Sequence, residues 1–567
     1  MRTSSHQYRL LVPSAAALCV PALALVVSCA PTGNGKTSEN ETNPDDAVAV
    51  AVTPRAALAP GFEEKTAAPG AWPTFFGSPS RNPVNTVEKN IAAEWSIQKG
   101  AEKNIKWIQT CGSRSYAGPV FAGGRIFVGT NNENPRDPKI TGDKGVLLCL
   151  DEKTGNFLWQ AIYDKLPAGR VVDWPLQGIC STPTVDGDRL YFINNRCEVV
   201  CADVAGNPDT KKVKEIWKLD MMKELGVFPH NLACSSPLVV SDYLFVITSN
   251  GVDEDHIDIP NPKAPSFLKI DKKTGKVLWS NNSPSANMVK AREGSRKGPS
   301  SLKDLVDRGL VLMHGQWSSP AYAEVNGQGQ VIFPGGDGWL YAFDPKTDKL
   351  IWKFDANPKD SRYELGPKGT RNDFIATPSI HGSRLYIGVG QDPEHKEGVG
   401  HLWCIDISKQ GDVSPELVVD DSTLPPKTKP NPNSAAVWQY GGYLNPRPKR
   451  GRPYAFGRTI STCCVHDGLV YAGELGGYLH CLDAKTGEKY WEHDMRANTW
   501  SSPYYVDGKI YMGDDKSKVL VFKHGKKKEI MATNLLDGKV CASPVAVDGV
   551  LYVMTEEKLY AIENKGK

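Results

Sequence analysis

No Cys-x-x-Cys-His sequence occurs in the 567 residues, which excludes covalent haem attachment of the usual kind. An excess of one charge is also missing: 67 Lys and Arg stand against 64 Asp and Glu, a formal net charge of +3. Without residues 1–28, which hold Arg2 and Arg9 and no acid, the balance is +1 (3 − 2). That balance leaves no electrostatic footprint for nucleic acid. A long unbroken apolar run is absent too, since the best one, Leu10 to Val27, is interrupted by Pro13 and Pro21. This argues against a permanent membrane-spanning helix. The acidic stretch Asp253, Glu254, Asp255 and Asp258 around His256 lacks the spacing of a known calcium loop.

What the chain has in abundance is a repeated phrase. Its clearest copy runs Trp317-Ser-Ser-Pro320, an apolar segment, Leu340-Tyr-Ala-Phe-Asp344, Lys346-Thr347 and Trp352. The first part returns at Cys180–Pro183, Cys234–Pro237, Ile375–Pro378, Trp500–Pro503 and Cys541–Pro544; the second returns at Leu150–Gly155, Ile270–Gly275 and Leu482–Gly487, each followed by Trp. Asp-Gly pairs at 186–187, 467–468, 507–508 and 548–549 separate apolar runs and predict tight hairpins, because such turns need positive φ. Four short strands per copy make an antiparallel meander, and a repeat of roughly forty residues of this kind marks a β-propeller. Eight copies start near Pro119, Pro183, Pro237, Pro320, Pro378, Cys463, Pro503 and Pro544. The last stops after three runs, at Ile562. The early segment Glu94-Trp95-Ser-Ile97 reads as its missing fourth strand. The expected fold is therefore all-β: an eight-bladed propeller of four-stranded antiparallel blades over 71–567, closed by an N-terminal strand, with closure removing exposed sheet edges.

The apolar N-terminal run ends Val26-Val27-Ser28-Cys29, which resembles the lipobox of bacterial lipoproteins. The resemblance implies a signal peptide over 1–28, a lipidated Cys29, and, with Ala30 next, residence on the periplasmic side of an outer membrane. Acyl chains contribute about 0.8 kcal/mol per buried CH₂, so several anchor firmly. Residues 29–70 are polar and rich in Pro, Gly and Ala, and read as a disordered tether.

Connectivity separates the two faces of the expected ring. Turns joining first to second and third to fourth strands lie on one face and read as short. The long insertions fall on the other: 130–145, 249–266 and 391–400 within blades, and 161–178, 281–316 and 411–458 between them. Long loops in a compact domain usually carry function. Asp253, Asp255, Asp392, His395 and His401 on these loops are weak metal-ligand candidates, although isolated acids and histidines of this kind are more often surface groups. The basic stretches 290–308 and 447–452 read by default as solvated loops. Cys149, Cys201, Cys404 and Cys481 stand two residues before a strand-ending Asp and read as small buried hydrophobes; Cys180, Cys234 and Cys541 take the place of Trp317 and Trp500 and should ring one mouth of the central channel.

Ser-Ser-Pro, Ala-x-Asp, Lys-Thr-Gly and Trp together make the repeat resemble that of the pyrroloquinoline quinone (quinoprotein alcohol dehydrogenase-like) propeller superfamily, over about residues 72–563. The opening Trp72–Gly77 with Arg81-Asn82 fits the same group. The chain resembles bacterial propeller lipoproteins of the outer-membrane assembly type more than the catalytic dehydrogenases. The first likeness implies a scaffold that binds another envelope protein through its loop-rich face, with no cofactor. The second, kept as the alternative, implies an alcohol or sugar dehydrogenase using the quinone (PQQ) and calcium. It needs a base, a carboxylate set for calcium, an Arg near the quinone and a stacking Trp. Trp317 and Trp500 could stack, and Asp173 and Asp373 could act as acids, but none matches the enzymes' signatures residue by residue, and no catalytic residue is assigned. The enzymes carry a vicinal disulfide on a loop near the cofactor. Here Cys463-Cys464 begins a strand, where Cys463 replaces the phrase's Pro, and the pair reads as structural.

Overall fold

The computed structural model describes residues 69–566, apart from 255, 257, 258, 287–313, 365, 421 and 424. The signal segment, Cys29 and almost all of the tether lie outside the described residues, as do Asp255 and most of the 281–316 insertion.

Eight four-stranded antiparallel blades follow one another in sequence and form the propeller. Blade 1 shows the pattern: Val120–Ala122 innermost, then Arg125–Asn131, Lys144–Asp151 and Phe157–Asp164 outermost. At 467–468, 507–508 and 548–549 both turn residues have positive φ, as the hairpin requires. The side chains pointing into the gaps between blades are almost wholly buried. One such layer combines Val128, Leu148 and Leu150 of blade 1 with Leu551, Val553 and Ile562 of blade 8.

The repeated Trp and Gly form the joint between neighbouring blades. Trp159 of blade 1 lies under Gly206 of blade 2, so close that a methyl added to that glycine would sit 2.6 Å from the indole. Trp217 meets Gly275 and Trp438 meets Gly487 in the same way. Each indole N–H also donates across the gap: Trp159 to the Val204 carbonyl (3.2 Å), Trp217 to Lys272 (3.1 Å) and Trp438 to Ala484 (3.0 Å). These glycines also have positive φ, so the position needs both the missing Cβ and the left-handed backbone.

This joint corrects the expected closing strand. The ring does close through an N-terminal strand, but the strand is Ile105–Thr110, antiparallel to Lys558–Glu563. Trp107, not Trp95, meets the waiting glycine, Gly155 of blade 1. Trp95 is buried nearby, where its backbone N–H donates to Asn534 Oδ1 (3.0 Å).

The 411–458 insertion is also reassigned. It contains the fourth strand of blade 5, Ala436–Gly441, so residues 407–435 interrupt a third-to-fourth turn on the face expected to be plain. The insertion does not stay there. Gly411–Asp412 runs parallel to Trp352–Lys353 along the outer edge of blade 4, and the hairpin Glu416–Asp420/Lys427–Pro430 follows. The hairpin ends beside Asn357–Asp360, back towards the loop-rich face.

Residues 72–85 cross the axis and touch every blade at its inner strand or, in blade 3, at Pro237 just before it. Trp72 exchanges two backbone bonds with Phe121 (2.9 Å each), and the Pro73, Pro79, Ser80 and Pro83 carbonyls accept from Val185, Tyr322, Ile380 and Tyr505. Asn82 Oδ1 accepts from Val465 N (3.0 Å), Asn85 Nδ2 donates to the Ala546 carbonyl (3.1 Å), and Arg81 donates to the Pro237 carbonyl (3.0 Å). Inner strands of a ring otherwise present unpaired backbone groups to the channel. The chain's own N-terminal segment pairs them and stops the channel.

Candidate functional site: an axial cup and a histidine cluster behind its wall

Upstream of each inner strand the Ser-Pro phrase faces the axis, and the eight copies build a cup of about 580 Å³ on the loop-rich side. The residue before the Pro supplies a hydroxyl in every blade except blade 1, where it is Gly118. These hydroxyls tie blade to blade. The Gly118 amide donates to Thr182 Oγ1 (2.9 Å), Thr182 to Ser236 Oγ (3.1 Å) and Ser236 to Ser319 Oγ (2.9 Å). Across the ring Thr377 donates to Thr462 Oγ1 (3.2 Å), Thr462 to Ser502 Oγ (2.9 Å) and Ser502 to Ser543 Oγ (2.8 Å). The phrase thus builds two arcs of hydrogen bonds, one through blades 1–4 and one through blades 5–8, which explains why Ser or Thr recurs there.

The residues three before the Pro form the cup's wall. Cys180, Cys234 and Cys541 stand in it with Trp317 and Trp500, as the repeat predicts, joined by Tyr116, Ile375 and Ile460. Phe75 and Phe76 of the axial segment also line it, and Trp174, Asp392 and Glu394 come from the loops. Tyr116 and Trp500 pack with ring centroids 5.3 Å apart. Burial pushes the thiols of Cys180 and Cys541 up to about 12, so they are protonated and apolar at neutral pH.

Behind Trp317 four imidazoles converge. His230 precedes blade 3, His256 lies in a loop of blade 3, His314 precedes blade 4 and His395 lies in a loop of blade 5. The His230 ring stacks on Trp317 at 5.8 Å and meets His256 and His314 at 4.7 and 4.6 Å. His395 stands 5.3 Å from His314 and 5.6 Å from His256. Asp373 Oδ2 is 4.0 Å from His314 Nδ1, too far for a hydrogen bond, and both groups are buried.

Burial, reinforced by the neighbouring histidines, pushes His230 and His395 down to about 4 and His314 far below its ordinary value. Burial also raises Asp373, with Asp392 adding to the effect, and takes Asp392 up to about 6. The cluster is therefore neutral at pH 7. In the unfolded chain histidine binds protons from about pH 6.5 downward. In the folded chain His230 and His395 do not do so until about pH 4, and burial lowers His256 and His314 as well. Between these values the unfolded state holds more protons, so the histidine contribution to stability is present at pH 7 and lost on acidification. The two acids act in the opposite sense but are fewer. We expect the urea midpoint of chelator-treated protein to fall between pH 7 and pH 5; an unchanged midpoint would contradict the buried neutral cluster.

The other candidate residues lie elsewhere. Asp173 is buried and accepts from Lys165 Nζ, the Leu166 amide (2.9 Å) and Asn195 Nδ2 (2.9 Å), which makes it a loop anchor. His401 is on a strand of blade 5 and bonds Gln439 (2.6 Å). Asp253 accepts the His256 amide through its own carbonyl (3.1 Å). Cys463 and Cys464 are both buried and are not joined by a disulfide, and Cys464 Sγ approaches the Pro83 carbonyl at 3.5 Å, against the axial segment and outside the cup. His230 and His314 escape sequence reading altogether. Their only linear signal is that each lies just upstream of a Ser-Ser-Pro phrase.

The cup does not fit quinone with calcium. Calcium takes six to eight oxygen ligands. The only carboxylates among the cup's described lining residues are Asp392 and Glu394. The quinone is a tricarboxylate, yet Arg114 is the one basic side chain in that lining.

Among known proteins, the chain is 22% identical over 380 residues to a polyvinylalcohol dehydrogenase from Pseudomonas sp, covering 63% of this chain and 51% of that one. It thus spans about half the length of that relative. It is also 22% identical over 341 residues to the outer membrane protein assembly factor BamB of Burkholderia pseudomallei (strain K96243), covering 57% of this chain and 82% of that one. A europium-containing methanol dehydrogenase shares the fold with a TM-score of 0.54 at 14% identity, over 86% of this chain and 89% of that one. The family model described as outer membrane protein assembly factor BamB matches residues 92–281, 143–391 and 431–567, well over half the sequence. On that match, the chain belongs to the family of outer membrane protein assembly factor BamB.

Proposed function

We propose that this chain is a lipid-anchored binding module of the cell envelope. Its rigid ring presents the axial cup and the surrounding loops to another envelope protein. The observation that carries this reading is the composition of the cup: an apolar wall of Cys, Ile and aromatic side chains above a stopped channel, with Asp392 and Glu394 the only carboxylates among its described lining residues. Apolar concavities of several hundred Å³ with a few polar groups at the rim are ordinary binding sites. The two hydroxyl arcs and the axial segment hold the wall still, which lowers the ordering cost of association. Membership of the BamB family supports a partner in outer-membrane assembly. Cys29 supplies the anchor, and residues 29–70 give a reach on the order of 35 Å.

A photo-crosslinker at Tyr443 or Leu444, both 40% exposed on the link after blade 5, tests the reading in intact cells. The expected result is one discrete adduct with a membrane protein, together with release of a Cys29→Ser variant from the membrane fraction. Absence of any adduct at both positions, with the chain fully soluble in its native form, would contradict it.

A further inference from the structure

Four of the chain's 11 histidines meet in one buried cluster although they come from four separate loops. One ligand atom from each of His230, His256 and His314 lies within 4.8 Å of the others. His314 is 2% exposed, and among the described residues neither of its ring nitrogens has a hydrogen-bond partner. Asp373, 1% exposed, likewise has no hydrogen-bond partner for either carboxylate oxygen among the described residues. Buried polar atoms are almost always bonded, and four orphaned atoms in one place call for a missing partner. A packed core does not account for them, because an apolar side chain would fill the same space without the desolvation cost.

We infer that His230, His256 and His314 bind a divalent transition metal of the zinc class. Imidazole suits zinc, copper, iron and nickel, whereas calcium and magnesium prefer oxygen. Tetrahedral zinc with bonds of about 2.0–2.1 Å needs nitrogens roughly 3.4 Å apart, so the three rings close in only modestly on binding. The surrounding bonds suit this. His230 Nδ1 sits 3.0 Å from the Val252 carbonyl, which fixes the proton there and makes Nε2 the ligand atom, in exchange for its contact with Asn231 Nδ2 (3.2 Å). Asp373 faces His314 Nδ1, the position from which a carboxylate orients a metal-bound imidazole. The bound ion would tie the segment before blade 3, a loop of blade 3 and the segment before blade 4 together behind Trp317. It would thereby fix one side of the cup. This role is independent of the identity of any partner.

Chelator-treated full-length protein is dialysed against Zn²⁺ and its metal content measured, with Ca²⁺ and Mg²⁺ in parallel. The expected result is one Zn²⁺ per chain, no retained Ca²⁺ or Mg²⁺, and a higher thermal midpoint with Zn²⁺. His256→Gln and His230→Gln should each weaken Zn²⁺ binding at least 100-fold, while His493→Gln, far from the cluster, leaves it unchanged. His256 is only partly buried, so His256→Gln should keep the metal-free thermal midpoint and separates loss of a ligand from loss of fold. No stoichiometric Zn²⁺ in the native protein, or uptake indifferent to both cluster substitutions, would overturn the inference.

Discussion

Arg81→Ala should lower the stability of the ring by about 3–5 kcal/mol, seen as a lower urea midpoint at nearly unchanged slope. Arg81 is fully buried and, among the described residues, donates to no carboxylate. Its guanidinium donates to Thr74 Oγ1 (2.8 Å), the Phe75 carbonyl (2.9 Å), the Pro320 carbonyl (3.0 Å) and the Pro237 carbonyl (3.0 Å). Burial pulls its pKa down to about 9, which still leaves it charged at pH 7. A cation in this position is tolerated because several carbonyl dipoles replace its water. Truncation to Ala leaves those carbonyls buried and unpaired, and removes the side-chain ties of residues 72–85 to blades 3 and 4. Arg81→Lys should recover only part of the loss, since one ammonium cannot reproduce a planar fork. A shift below about 1 kcal/mol would show that the axial segment contributes little to holding the ring together.

Arg458→Ala should act locally and nearly as strongly. This side chain is 1% exposed and donates to Asn372 Oδ1 (3.1 Å), the His395 and Lys396 carbonyls (3.0 and 3.1 Å) and the Gly366 and Gly369 carbonyls (3.0 and 2.9 Å). It thus binds two segments of the loop-rich face, 366–372 and 395–396, to the start of blade 6. Gly398 passes so close that an added methyl would lie 2.7 Å from the guanidinium carbon. Amide exchange over 366–372 and 393–398 should quicken by about 100-fold, a local loss of about 2.7 kcal/mol, while the blade strands keep their protection. The same variant should weaken the crosslink from Tyr443. Uniformly faster exchange throughout the ring would show instead that Arg458 supports the whole fold.

The blades were legible because their signals are local: Asp-Gly turns, Lys-Thr-Gly turns and a Trp at a fixed offset. The closing strand was legible as a need but not as a segment. Glu94-Trp95-Ser-Ile97 and Lys106-Trp107-Ile108 both present a Trp in an apolar stretch, and only the contact with Gly155 distinguishes them. Blade 5 hid its fourth strand because residues 407–435 replace the usual turn before Trp438. The axial segment shows no strand alternation, since it pairs mainly through backbone carbonyls, three of them from Pro73, Pro79 and Pro83. The ring of Cys and Trp at the cup followed from the repeat. The histidine cluster could not, because its members come from four separate loops and share no spacing.

Reconstitution with pyrroloquinoline quinone and Ca²⁺ tests most directly whether the cup is a docking surface. After gel filtration, the protein should retain no stoichiometric quinone absorbance and show no dye-linked oxidation of alcohols or sugars. Retention of one quinone per chain together with such turnover would contradict the binding-module account and place catalysis in the same cup.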